Sequence, residues 1–169
     1  YHRALAIKPG YAEVYNNLGL VLFDQRKYEE ATSNLQEALR LRPALAPAYA
    51  NLGRSLAALG KIEEAAASYR EAIRLNPNSA QSHYNLAVLC ENVGRYDEGI
   101  AHARESLHLN PSFSPAYSTL ANQLTQMGKL DEGLEVSRQA LRLNPNCAET
   151  HNTLGSALWE RGKLNEALA

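Results

Sequence analysis

Apolar residues recur along this chain at helical spacing, in short paired runs with fixed punctuation. One run stops at Gly60, Gly94, Gly128 or Gly162, and the next opens with acids such as Asp97-Glu98 or Asp131-Glu132. That order predicts a helix, a glycine stop and a second helix. Glycine takes the left-handed conformation that closes a helix, and the dipole at a helix N-terminus favours negative charge. A proline ends each second helix, because it cannot continue the hydrogen-bond ladder. Pro9, Pro43, Pro77, Pro111 and Pro145 fall every 34 residues. Numbered from Ala12, the units are 12–45, 46–79, 80–113 and 114–147, with 1–11 the tail of a preceding unit and 148–169 a partial one. Arg26 stands where the other units have glycine, so its turn must hold a left-handed non-glycine residue at some cost or adopt another geometry.

Within the units, position 7 is always leucine: Leu18, Leu52, Leu86, Leu120 and Leu154. Position 8 is always tiny, as Gly19, Gly53, Ala87, Ala121 and Gly155, and positions 20 and 27 hold alanine, glycine or serine. A glycine inside a helix costs roughly 1 kcal/mol relative to alanine, so Gly19, Gly53 and Gly155 are predicted to be notches into which a paired helix packs. Position 4 is Tyr15, Tyr49, His83, Tyr117 and His151.

These residues, with proline at position 32, resemble the tetratricopeptide repeat family over the whole chain. The resemblance implies an all-α fold: antiparallel helix pairs, A and B, stacked as a right-handed α-solenoid in one array, with the A helices lining a concave groove. One pair cannot bury its apolar stripe alone, whereas stacked neighbours share a continuous core. The resemblance also implies a core-facing side chain at position 4. The chain begins and ends inside a B helix with no polar capping helix, so it is expected to be an excerpt of a longer repeat protein. Its incomplete ends are expected to permit head-to-tail self-association.

Composition narrows the function classes. A formal charge of -1 and a pI of about 6.6 lack the basic excess of a nucleic-acid binder. Cys90 and Cys147 are far apart with no C-x-x-C spacing, which signals neither disulfide nor zinc site; free thiols fit a reducing, cytoplasmic compartment. No run reaches the roughly 18 apolar residues of a membrane span, and no charged-then-apolar leader is visible, although the chain opens at Tyr1 rather than a methionine. No membrane partner is expected.

Candidate chemistry is sparse. His83 and His151 stand at the core-facing position 4, and His102 and His108 are six apart on one helix, which does not place them on one face. Cys90, at position 11, is expected to be a buried, inert thiol. Glutamates recur at position 19 but lie whole repeats apart, at the starts of B helices. No nucleotide-binding, zinc-protease or nucleophile-elbow motif occurs. The reading is a protein without catalytic residues, metal or cofactor.

Function then falls to the groove. The family's inward positions on helix A are 2, 5, 6, 9, 12 and 13. Position 6 reads Asn17, Asn51, Asn85, Thr119 and Thr153, and amides both donate and accept hydrogen bonds. This is similar to the asparagine ladder in the repeat region of O-linked N-acetylglucosamine transferase-like proteins, which implies a grip on an extended peptide backbone by Asn17, Asn51 and Asn85; Thr119 and Thr153 depart from it. Asn16, Arg54, Tyr84 and Asn122 complete the expected peptide-binding set, with Phe23, Tyr84 and Trp159 as apolar anchors. No lysine or arginine stands at positions 2, 5 or 6 of any unit, which argues against the family's carboxylate clamp for chaperone tails. The reading is a scaffold for a protein or extended peptide. The alternatives are the substrate-recruiting region of a glycosyltransferase-like enzyme with its catalytic domain beyond Ala169, or a self-associating repeat segment.

Overall fold

The structure, a computed structural model, describes residues 12–162. The tail 1–11 and the end 163–169, on which the head-to-tail reading rests, lie outside the described residues. Nine helices make up the described chain: α1 (Ala12–Asp24), α2 (Tyr28–Leu41), α3 (Ala46–Ala58), α4 (Ile62–Leu75), α5 (Ala80–Asn92), α6 (Tyr96–Leu109), α7 (Ser114–Gln126), α8 (Leu130–Leu143) and α9 (Ala148–Glu160). The fold class is the all-α solenoid. Its contacts divide into two compact units, one up to Asn85 and the other from Leu86.

In the first unit α1 packs on α2 and α3 on α4, while α2 also packs on α3 and α1 on α3. Leu18, Leu22 and Ala31 form one buried cluster with Phe23 against it, and Leu52, Leu56, Ala65 and Tyr69 are buried in the next pair. In the second unit α6 packs on α7, α7 on α8, and α9 on both α7 and α8. Ala87, Ile100, Ala103, Leu120, Ala121, Leu124 and Val136 make its main core.

The A-to-B turns close as expected. Gly60, Gly94, Gly128 and Gly162 have φ of 72 to 74°, and Arg26 takes the same left-handed conformation at φ 61°. The amides of Lys27, Lys61, Arg95 and Lys129, each following a turn residue, reach back to helix A, as in Lys27 N–H to the Leu22 carbonyl (2.9 Å) and Lys61 N–H to Leu56 (2.9 Å), which is the Schellman closure. The B-to-A turns add a role for proline. Leu45, Ser79, Phe113 and Cys147 donate their amides to the carbonyls of Arg42, Asn76, Asn110 and Asn144 at 3.1 to 3.2 Å. Pro43, Pro77, Pro111 and Pro145 therefore sit at the second turn position, where a fixed φ is favourable.

Position 4 adds a second role to its expected packing. Tyr117 packs against the main core of the second unit, and the rings of His83 and His151 and the Tyr117 hydroxyl brace that turn by bonding the carbonyls of Pro77 (3.3 Å), Pro145 (2.8 Å) and Pro111 (3.1 Å). His83 is buried but His151 is exposed. Histidine and tyrosine interchange here because each can bring a donor to the same carbonyl.

The notches form between helices of one pair. A Cβ on Gly19 would stand 2.6 Å from Leu35 Cγ and 3.3 Å from the Ala31 carbonyl oxygen, and one on Gly53 would stand 2.6 Å from the Tyr69 ring. In the second unit the small residue changes sides: a Cβ on Gly133 of α8 would stand 3.3 Å from the Ala121 carbonyl oxygen. Gly19 with Ala31, Gly53 with Ala65, Ala87 with Gly99 and Ala121 with Gly133 each pair one glycine with one alanine across positions 8 and 20. For Gly155 the expected partner at position 20, Ala167, lies outside the described residues.

Candidate functional site

Local bonds fix the helices that carry the candidate residues in the first unit. Leu45 and Pro47 start α3, with the proline in the first turn, where a missing amide hydrogen costs nothing. Ser79 starts α5: its hydroxyl accepts from the Ser82 amide at 3.2 Å and pairs with the Ser82 hydroxyl at 2.8 Å, and His83 ties the same turn to Pro77. Asn51 and Arg54 on α3, and Gln81, Tyr84 and Asn85 on α5, are thereby held on well-anchored helices.

Asn51, Arg54, Tyr84 and Asn85 come together, with Ala50 and Gln81, around a hollow of about 470 Å³. A second hollow of about 220 Å³, lined by Ala46, Pro47, Asn76, Ser79 and Ser82, shares Ala50, Asn51 and Gln81 with the first. The two make one trough between α3 and α5. Its size falls within the usual range for ligand sites.

The amides are linked differently from a simple ladder. Asn51 Nδ2 donates to Asn16 Oδ1 (2.9 Å), and Asn16 Nδ2 donates to Asn17 Oδ1 (3.2 Å). Asn85 Oδ1 instead accepts from Gln81 Nε2 at 2.8 Å. Asn51 keeps its carbonyl oxygen and one N–H, and Asn85 keeps both N–H groups, so between them they can meet the alternating donors and acceptors of a backbone. Asn17 is the most exposed of the three.

Arg54 Cζ lies 4.4 Å from the centroid of the Phe23 ring, and that ring stands 5.3 Å from Tyr28 at a tilt of 54°. Phe23, expected as an anchor for a ligand, carries the guanidinium over its ring. Burial pushes the Tyr69 phenol well above its ordinary range, with the nearby Arg54 charge opposing.

Asn122 lies in the second unit and there donates to Glu91. Gln123, fully buried, donates to the Ala87 carbonyl at 2.9 Å and to Glu91 at 3.5 Å. Its Oε1 finds no hydrogen-bond partner and packs where Gly99 has no side chain. Burial raises the Glu91 carboxyl above its ordinary range, the bonds from Asn122 and Gln123 oppose this, and the charge of Glu149 adds to it. Sequence reasoning missed Gln123; the departure of position 10 from the small or apolar residues of other units (Val21, Ser55, Leu89, Ala157) was the available signal.

Thr119 and Thr153, which depart from the asparagine ladder, are buried at 4% and 5% exposure, and Thr153 bonds the Glu149 carbonyl at 3.1 Å. Ser118 and Thr125 are also buried, bonding Thr150 at 2.7 Å and the Ala121 carbonyl at 2.9 Å. Trp159 is 63% exposed. Cys90 is buried, as its position required. Among the described residues no cluster of three or more His, Cys, Asp or Glu could hold a metal ion, and no helix is long and apolar enough to cross a membrane.

The profile of the family described as the cilia and flagella-associated protein 70 C-terminal domain, a tetratricopeptide repeat domain, matches residues 1–169. No curated protein matches the chain. Among solved structures, the crystal structure of YrrB, a TPR protein with an unusual peptide-binding site, is similar at 20% identity and a TM-score of 0.81, covering 99% of this chain and 86% of that one. MamA from Desulfovibrio magneticus RS-1 is similar at 22% identity and 0.85, covering 93% and 89%. Pseudomonas aeruginosa pilF is similar at 24% and 0.85, covering 93% and 72%. At these identities the likeness is one of fold.

Proposed function

The chain belongs to the tetratricopeptide repeat family of the cilia and flagella-associated protein 70 C-terminal domain, a protein-interaction fold, and from that premise we propose that it holds an extended segment of a partner protein in the trough between α3 and α5. The observation that carries the reading is the gathering of Asn51, Arg54, Gln81, Tyr84 and Asn85 around one hollow of about 470 Å³. Asn16 and Asn17 continue the polar wall through their bond to Asn51. The peptide-binding site named for YrrB is consistent with a segment lying on such a fold.

The affinity expected of such a trough is modest. A neutral hydrogen bond contributes about 0.5 to 1.5 kcal/mol net, so the three asparagines supply a few kcal/mol before the cost of ordering the segment. Binding around the micromolar range follows. A displayed library of random dodecapeptides tests the reading. Clones recovered on the native chain should be lost on the triple variant Asn17→Ala, Asn51→Ala, Asn85→Ala, whose melting temperature should change little, because only Asn51 gives up a bond to another helix. Equal recovery on both chains would sink the assignment.

A further inference from the structure

Arg54 is the trough's own cation. The residue is half-buried, and its guanidinium lies over Phe23 with Cζ 4.4 Å from the ring centroid. Phe23 is itself packed on Leu18, Leu22 and Ala31, so the platform is built into the core. Elsewhere in the first unit, Arg42 pairs with Glu13, Arg40 with Glu37, Arg74 with Glu71 and Lys61 with Glu64. Arg54 has no carboxylate or hydrogen-bond acceptor among the described residues, although its five N–H donors border the hollow lined by Asn51, Gln81, Tyr84 and Asn85. A guanidinium stacked on a ring has already lost much of its rotamer freedom, and its fork fits a carboxylate with two parallel bonds.

We propose that the segment held in this trough presents an aspartate or glutamate side chain to Arg54, while the flanking asparagines hold its backbone. The inference rests on the trough reading and adds its selectivity. A single cation among neutral amides matches a singly charged carboxylate. A phosphoryl group, carrying close to two charges, would leave charge uncompensated there. Stacking on Phe23 also means that a ligand does not have to immobilise the arginine from solution, which lowers the entropy cost of the contact.

The test uses immobilised pools of decapeptides, degenerate except for one central position fixed as Glu, Asp, Gln, Lys or phosphoserine. The native chain should retain the Glu and Asp pools about fivefold more than the Gln pool, the scale of a partly exposed ion pair, with the advantage shrinking as salt rises from about 0.05 to about 0.5 M. Arg54→Gln should bring the Glu pool down to the Gln pool and leave the Gln pool where it was. Arg54→Lys should keep a reduced preference, and Lys61→Gln, which removes an equal charge away from the trough, should keep all of it. Matching melting curves show that these variants fold. Equal retention of the Glu and Gln pools by the native chain, a preference surviving Arg54→Gln, or a lead for the Lys or phosphoserine pools would each overturn the inference while leaving the trough reading standing. Retention of no pool would overturn the trough reading and the inference with it.

Discussion

Arg26 and Gly60 occupy equivalent turns and share a left-handed backbone, at φ 61° and 74°. For a residue with a Cβ that conformation costs about 1 to 2 kcal/mol, and no described ion pair or side-chain hydrogen bond offsets it at Arg26. Arg26→Gly is therefore expected to raise the stability of the chain by about 1 kcal/mol, read as a higher urea midpoint at unchanged slope; an unchanged or lower midpoint would refute the account. Gly19 answers to a different demand, since its φ is ordinary and its missing Cβ makes room for Leu35. Both kinds of glycine are visible in the sequence as periodic residues. Only the turn type could be assigned from its neighbours alone; the occupant of the notch, leucine at one pair and tyrosine at the next, needed the packed structure.

At the scale of helices, the contact between α5 and α7 is where polar chemistry enters a core. Gln123 replaces a small or apolar residue and spans to the Ala87 carbonyl, and Gly99 on α6 gives it the space. Glu91, half-buried beside it, has its carboxyl raised first of all by desolvation. A carboxyl raised in the folded state binds its proton more readily folded than unfolded, so its contribution favours folding at low pH and is lost as pH rises through the raised value. Glu91→Gln, which keeps an acceptor for Asn122, is thus expected to raise the melting temperature near pH 7 and to have no effect below about pH 4, where the native carboxyl is also neutral. A pH-independent difference between the two proteins would discount the buried charge as the cause.

Across the whole molecule, acids and bases nearly cancel, 18 against 17, and among the described residues the ion pairs lie at the surface. Glu37 and Glu71 have their carboxyls held low chiefly by the hydrogen bonds from Arg40 and Arg74, yet these pairs lie in solvent, as do Lys27–Glu30 and Arg142–Glu135. Exposed pairs contribute about 0 to 1 kcal/mol each and fade with salt, while the apolar clusters of each unit are indifferent to screening. Raising sodium chloride from about 0.05 to about 1 M should accordingly move the melting temperature by no more than about 3 °C; a fall several times larger would make the ion pairs, rather than the stacked helices, the main source of stability. What the sequence by itself determined is periodic: helix boundaries, left-handed turns, proline stops and the small residues of each pair follow from local backbone chemistry repeated every 34 residues. Side-chain partnership was left to the tertiary structure. Asn51 bonds Asn16 rather than standing in a plain ladder, Thr119 and Thr153 are buried, position 4 braces a turn, and Arg54 rests on Phe23. Those choices depend on which side chains of neighbouring helices meet at one height, and a one-dimensional pattern names the face of a residue without naming what lies opposite it.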